Sequence, residues 1–209
     1  TDRKLTESTV ALMWDELAIP FKIEVPNIYD LYVETISSEL ENIPGYSWQN
    51  LNQAAMFCLQ NNTHLEQGLE WAELAVSGNF VGQSNFSTLT TKALLEAKLE
   101  KNDAYEKTMA TAMADPGAGV LQLHQLGRQM IQMGKKDEAL KVFQSNAEKH
   151  PDTWPVNLGL ARGFSATGDY KQALKYAKKA KKNVAENDTA NKANLENIIK
   201  MLKKDKDIN

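Results

Sequence analysis

A single cysteine, Cys58, in 209 residues has no partner for an internal disulfide, and it leaves the redox compartment open. Ala54, Ala55, Phe57 and Leu59 surround it, so a buried thiol in a helix is expected rather than a reactive one. Histidine is nearly as scarce. His64, His124 and His150 lie far apart and share no metal-ligand spacing with the cysteine, so no metal site is expected. There is no Gly-x-Ser-x-Gly, no His-Glu-x-x-His and no phosphate loop, and Pro116-Gly-Ala-Gly119 is a short linker. The chain therefore reads as non-enzymatic, with no cofactor and no catalytic residues; an enzyme assembled from distant residues is the minor alternative. Long apolar runs are also missing. None approaches the ~20 residues of a membrane-spanning helix, so no membrane insertion is expected. The opening Thr1-Asp-Arg-Lys-Leu is polar with no apolar segment behind it, unlike a secretory signal, and there is no initiator Met. The chain accordingly reads as a mature product or as part of something longer.

What is present is an ordinary globular balance, 42% apolar and 24% charged residues, which favours a folded chain over a disordered one. The net charge of −3 conceals a gradient. Residues 1–104 hold 15 acids and 6 bases, whereas residues 105–209 hold 12 acids and 18 bases. Much of the excess sits at Lys171, Lys175, Lys178, Lys179, Lys181 and Lys182, toward the end of one predicted helix, where cations suit the helix dipole. Tyr176 alone is aromatic within that run, which is no interleaving that would stack successive bases, so a solvated face is expected and nucleic acid is not.

Spacing is the strongest signal. "MGKKDEALKVF" from Met133 and "TGDYKQALKYA" from Thr167 lie 34 residues apart and align Gly134 with Gly168, Ala139 with Ala173 and Leu140 with Leu174. Around them run Leu123, Leu126-Gly127, Met130, Ala139, Phe143 and Pro151, then Leu160-Ala161, Phe164, Gly168-Asp-Tyr170 and Ala173. This resembles the tetratricopeptide repeat. Gly127 and Ala139 are twelve apart, as are Ala161 and Ala173, and small residues there let two helices lie close. Gly134 and Gly168 fall where a first helix must stop. Pro151 stops a second helix, and Asp152 is expected to cap the next. Upstream, Ala104 and Pro116 continue the phase through helices near Phe86–Glu100 and Asp103–Ala114, although Lys92 stands where a small residue is expected. Gly68 continues it again through Trp48–Gln60 and Leu65–Val76. Leu195, Ile198, Ile199 and Leu202 mark a terminal helix that closes the exposed end of the stack. The predicted fold is an all-α, tetratricopeptide-like α-α superhelix of about four helical hairpins with a C-terminal capping helix.

The N-terminal segment differs. Val10, Leu12 and Trp14, then Ile19, Phe21, Ile23 and Val25, alternate as two strands joined near Asp15–Ala18, followed by a helix over Tyr29–Leu40. A lone two-stranded hairpin is marginal in water, so it must lean on the following helix, a second copy or further strands. Trp14-Asp-Glu-Leu-Ala-Ile-Pro-Phe-Lys-Ile-Glu-Val25 resembles the last strands of a small β-rich domain of unknown function that precedes such repeats in bacterial exported proteins. The resemblance implies the C-terminal portion of a larger envelope protein, exported or periplasmic. The expected organisation is a hairpin at 1–26, a connecting helix at 27–46 and a helical repeat domain at 47–209.

The tetratricopeptide resemblance implies a concave groove lined by the first helix of each repeat, and a protein or peptide partner held there. On this alignment Arg128 and Arg162 are equivalent positions facing the groove, with His124 one turn before Arg128 and Gln132 one turn after. Two guanidinium groups on neighbouring helices can converge on one carboxylate or phosphate. Phe57 and Ala93 occupy the corresponding places in the first two repeats, a departure from the family's peptide-carboxylate clamp. The favoured function is a non-catalytic protein- or peptide-binding scaffold. The alternatives are a structural spacer or dimerisation arm for an upstream β-rich domain, with a homodimer through the hairpin, and more remotely RNA binding.

Overall fold

Gly134 and Gly168 have φ of +79° and +88°, the left-handed conformation in which only glycine is unstrained. At each, two backbone bonds close the preceding helix. Lys135 N donates to Met130 O and Gly134 N to Ile131 O; 34 residues on, Asp169 N donates to Phe164 O and Gly168 N to Ser165 O. These are Schellman turns, which satisfy carbonyls that the helix end leaves free. Asn62 (φ +49°) and Glu100 (φ +58°) make the same pair of bonds, Thr63 N to Cys58 O with Asn62 N to Leu59 O, and Lys101 N to Glu96 O with Glu100 N to Ala97 O. Four helices thus end in one way, and the repeat holds where its glycine does not.

The structure, a computed structural model, describes residues 6–209; the polar Thr1–Leu5 stretch lies outside the described residues. Strands β1 (Glu7–Trp14) and β2 (Leu17–Glu24) precede ten helices: α1 (Ile28–Leu40), α2 (Trp48–Asn61), α3 (Leu65–Ser77), α4 (Phe86–Lys98), α5 (Asn102–Ala114), α6 (Val120–Gln132), α7 (Lys136–Lys149), α8 (Trp154–Ala166), α9 (Tyr170–Asn183) and α10 (Thr189–Leu202). The fold is all-α and tetratricopeptide-like, as the 34-residue spacing predicts, with the short N-terminal β-hairpin that the alternation over residues 10–25 predicts. Two compact units divide between Ala112 and Met113. Among the described residues no helix is long and apolar enough to cross a membrane.

In the first unit α2 packs on α3, and α4 on both. A Cβ on Gly68 would fall 2.7 Å from the Cβ of Cys58, so that glycine lets α3 lie against α2. Cys58 itself is fully buried, and burial pushes its thiol up to about 11, in keeping with an inert apolar thiol. Asn85 and Thr88 form a reciprocal capping box at the start of α4, each side chain accepting the other's backbone N–H at 3.1 Å. Lys92, in place of the expected small residue, is half-buried and lies 3.6 Å from Glu73 and 3.7 Å from Glu96.

In the second unit α6 pairs with α7 and α8 with α9, and α8 lies on both α6 and α7. Asp169 caps α9 and Asp188 caps α10 through bonds to Gln172 N and Asn191 N. Asp152 does not cap α8. It sits at φ +64°, one residue before the N-cap Thr153, and its carboxylate lies 2.5 Å from Lys179 instead. The apolar stripe of α10, Leu195, Ile198 and Leu202, is buried on α9 with Ala173, Ala177 and Ala180.

The hairpin turns through Asp15 and Glu16, with Trp14 opposite Leu17. One face carries Val10, Leu12, Trp14, Leu17, Ile19 and Phe21, all exposed, Trp14 by 81%. A two-residue turn makes its closing pair hydrogen-bonded, and pairs alternate from there, so Ala11 and Pro20 form a non-hydrogen-bonded pair. The nitrogen of Pro20 therefore points away from β1, toward the outer edge of β2.

Glu100 is the strained member of the four turns, since a left-handed non-glycine residue costs roughly 1–2 kcal/mol. Glu100→Gly is expected to stabilise the chain by about 1 kcal/mol after the extra freedom of the unfolded glycine is deducted, read as a shifted urea midpoint at unchanged slope.

Candidate functional site

The site is built on a single ring. Phe143 of α7 is fully buried and lies against Gly127 of α6 and Gly159 and Gly163 of α8. A Cβ on Gly127 would stand 2.5 Å from the ring's Cε1, one on Gly159 2.6 Å from Cδ1, and one on Gly163 2.9 Å from Cδ2. Real atoms do not approach so closely, so these glycines let α6 and α8 close around the ring. The space left by Gly127 is thus filled by Phe143, one turn beyond the Ala139 that the twelve-residue spacing pairs with it.

His124 rests on this ring, with centroids 5.7 Å apart and planes tilted by 59°. Its Nδ1 lies 3.1 Å from Pro155 O at the start of α8. A carbonyl only accepts, so Nδ1 carries the proton and Nε2 of the neutral ring is an acceptor. Burial first, then the Arg162 cation and more weakly Arg128, push the imidazole down to about 4 against the opposing effect of the Pro155 bond. Two of the chain's three arginines therefore bear on this histidine.

The two cations have different surroundings. Arg162 is largely buried; burial and then Arg128 hold its guanidinium below the ordinary range, and Asp207 works the other way. Its Nη1 donates to Ile208 O at 3.0 Å, while its buried Nε has no partner among the described residues. Arg128 is exposed and meets no hydrogen-bonding or ion-pair partner there. Gln132, exposed at the end of α6, likewise makes no hydrogen bond among the described residues and is not drawn into the cluster.

Beyond α10, Asp205 at φ +52° turns the chain back onto α8. Ser165 Oγ donates to Asp207 Oδ1 at 2.7 Å and accepts from Ile208 N at 3.2 Å, and Asn209 Nδ2 donates to Arg162 O at 3.1 Å. Burial works to raise the Asp207 carboxyl, but bonds from Ser165, Asn209 and the backbone outweigh it and hold the group below the usual carboxylate range. Ile208 is buried with Leu158, Ala161, Leu195 and Leu202. Ser165, Asp207 and Ile208 were not foreseen; the only signal was one aliphatic residue in the polar run "KKDKDIN".

In the first unit, the face of α2 that carries Phe57 borders an open groove of about 550 Å³ lined by Trp48, Gln49, Asn52, Gln53, Met56 and Phe57. It holds amides and apolar groups but no charge. Among the described residues no three metal-ligating side chains cluster.

No family model matches the chain, and no curated protein does. Among solved structures, "Crystal structure of MamA" is similar at 15% identity over 75% of this chain and 88% of that one, with a TM-score of 0.48. "Crystal structure of MamA protein" is similar at 15% identity over 78% and 85%, with a TM-score of 0.49. The functional reading rests on the chain's own geometry.

Because the folded His124 titrates below the unfolded value of 6.5, the unfolded chain binds more protons between the two. The stabilisation is complete above pH 6.5 and is lost as pH falls toward 4. At ~1.36 kcal/mol per unit the loss is on the order of 3 kcal/mol. Urea unfolding at pH 7 and pH 4.5 is expected to show a steeper fall for the native chain than for His124→Gln, and equal falls would refute the assignment.

Proposed function

We propose that the chain is a non-catalytic scaffold whose second unit holds an extended peptide or protein segment across α6 and α8, at Arg128, His124 and Arg162. One observation carries this reading. Two cations bear on each other and on a neutral histidine, and among the described residues no carboxylate stands within ion-pair distance of either. Like charges side by side are unfavourable unless something anionic or strongly accepting completes them. An acidic peptide does so: its carboxylate can take the free donors of Arg128, and its main-chain carbonyls suit Arg162, which already donates to one such carbonyl. Gln132 lies at the outer end of the same strip. Neutral His124 offers Nε2 to a peptide N–H.

Selection of a random peptide library on the folded chain is expected to enrich sequences pairing an acid with an aliphatic residue. Arg128→Glu, at an exposed position, is expected to weaken the selected peptides at least tenfold with unchanged melting. Enrichment of no peptide, or binding indifferent to Arg128→Glu, would sink the reading.

The hairpin favours a second, compatible role as a dimerisation arm. Its apolar face is exposed in full, and β1 keeps every outward donor while Pro20 interrupts β2, so a second copy would pair along β1. Light scattering is expected to give twice the 23.4 kDa chain mass for the native protein and a single mass for Leu12→Lys with Ile19→Lys. A single mass for both, or a dimer for both, would remove the hairpin from that role; a β-rich domain upstream would then be its remaining cover.

A further inference from the structure

We propose that residues Asp207–Asn209 are a built-in occupant of the α8 face that carries Arg162 and Ser165, and that peptides carrying an acid followed by an aliphatic residue bind in competition with them. The inference rests on the peptide-binding reading and names the occupant and its pattern. α8 grips the segment as a binding site grips an extended ligand. Both main-chain groups of Ile208 are read, N–H by Ser165 Oγ at 3.2 Å and C=O by Arg162 Nη1 at 3.0 Å. The acid before it is read by Ser165 at 2.7 Å, and the aliphatic side chain enters the cluster that includes Leu158 and Ala161. Among the described residues the segment makes no backbone–backbone hydrogen bond beyond that of Lys206 N, so its position depends on docking against side chains of α8. Asp205, in its left-handed conformation, is the joint at which it leaves α10.

The occupancy is also incomplete. Arg162 keeps a buried Nε without a partner, and Arg128 stays exposed without one among the described residues. Asp207 spends its carboxylate on Ser165 and Asn209 rather than on either arginine. A peptide of the same pattern with a second acid can take those donors as well, which gives it the advantage needed to displace a tethered segment.

The test uses a fluorescein-labelled peptide with the sequence of residues 203–209, Lys-Lys-Asp-Lys-Asp-Ile-Asn, read by anisotropy on the native chain and on the chain shortened to end at Lys204. At least tenfold tighter binding to the shortened chain is expected, and Ser165→Ala in the shortened chain is expected to weaken it. Equal binding to both, or none by a shortened chain with unchanged circular dichroism, would overturn the inference. Should shortening unfold the protein, hydrogen exchange on the native chain decides: a saturating library-selected peptide is expected to speed exchange at the Ile208 amide at least tenfold, and unchanged protection would overturn it. A selected peptide that binds native and shortened chains alike leaves the peptide-binding reading standing and removes only the built-in occupant. Selection that yields nothing on either chain removes the peptide-binding reading itself.

Discussion

The second unit depends on how Phe143 is housed. An aromatic ring wedged between two helices normally holds them apart, and here three glycines remove the atoms that would collide with it. The arrangement buries a large apolar side chain completely and still lets α6 and α8 pass close by. The candidate residues on that face inherit their spacing from this contact. His124 lies on the ring, Pro155 O is brought to His124, and Arg128 and Arg162 come within each other's field. A smaller residue at 143 would loosen the geometry of the cations before it touched any of them.

Sequence revealed the scaffold unevenly, for physical reasons. The last two hairpins were legible because their turns use glycine, whose left-handed backbone leaves a compositional mark. The first two make the same turns with Asn62 and Glu100, so only phase and apolar period gave them away. Gly68 beside Cys58 was readable as a close approach. The capping role expected of Asp152 failed because its carboxylate lies on Lys179, an ion pair set by packing of α9 that no local motif encodes.

The candidate site was half legible. Equivalent places in a repeat put Arg128 and Arg162 on neighbouring first helices, and the structure makes them electrostatic neighbours. Their inequality was hidden: one is exposed and the other largely buried against residues 207–209, more than forty positions away in sequence. Contacts of that range have no period or spacing. Gln132 shows the converse, since sharing a strip in sequence did not bring it a partner among the described residues.

Pro20 has a consequence for how far any sheet built on the hairpin can grow. Strands are added where an edge offers donors, and β2 lacks one in the middle of its outer edge whereas β1 does not. Two copies joined along β1 would present only their β2 edges to the outside. Both outer edges of such a four-stranded sheet would be blunted, so the same residue that spoils one edge would disfavour propagation of an exposed apolar ribbon beyond pairs.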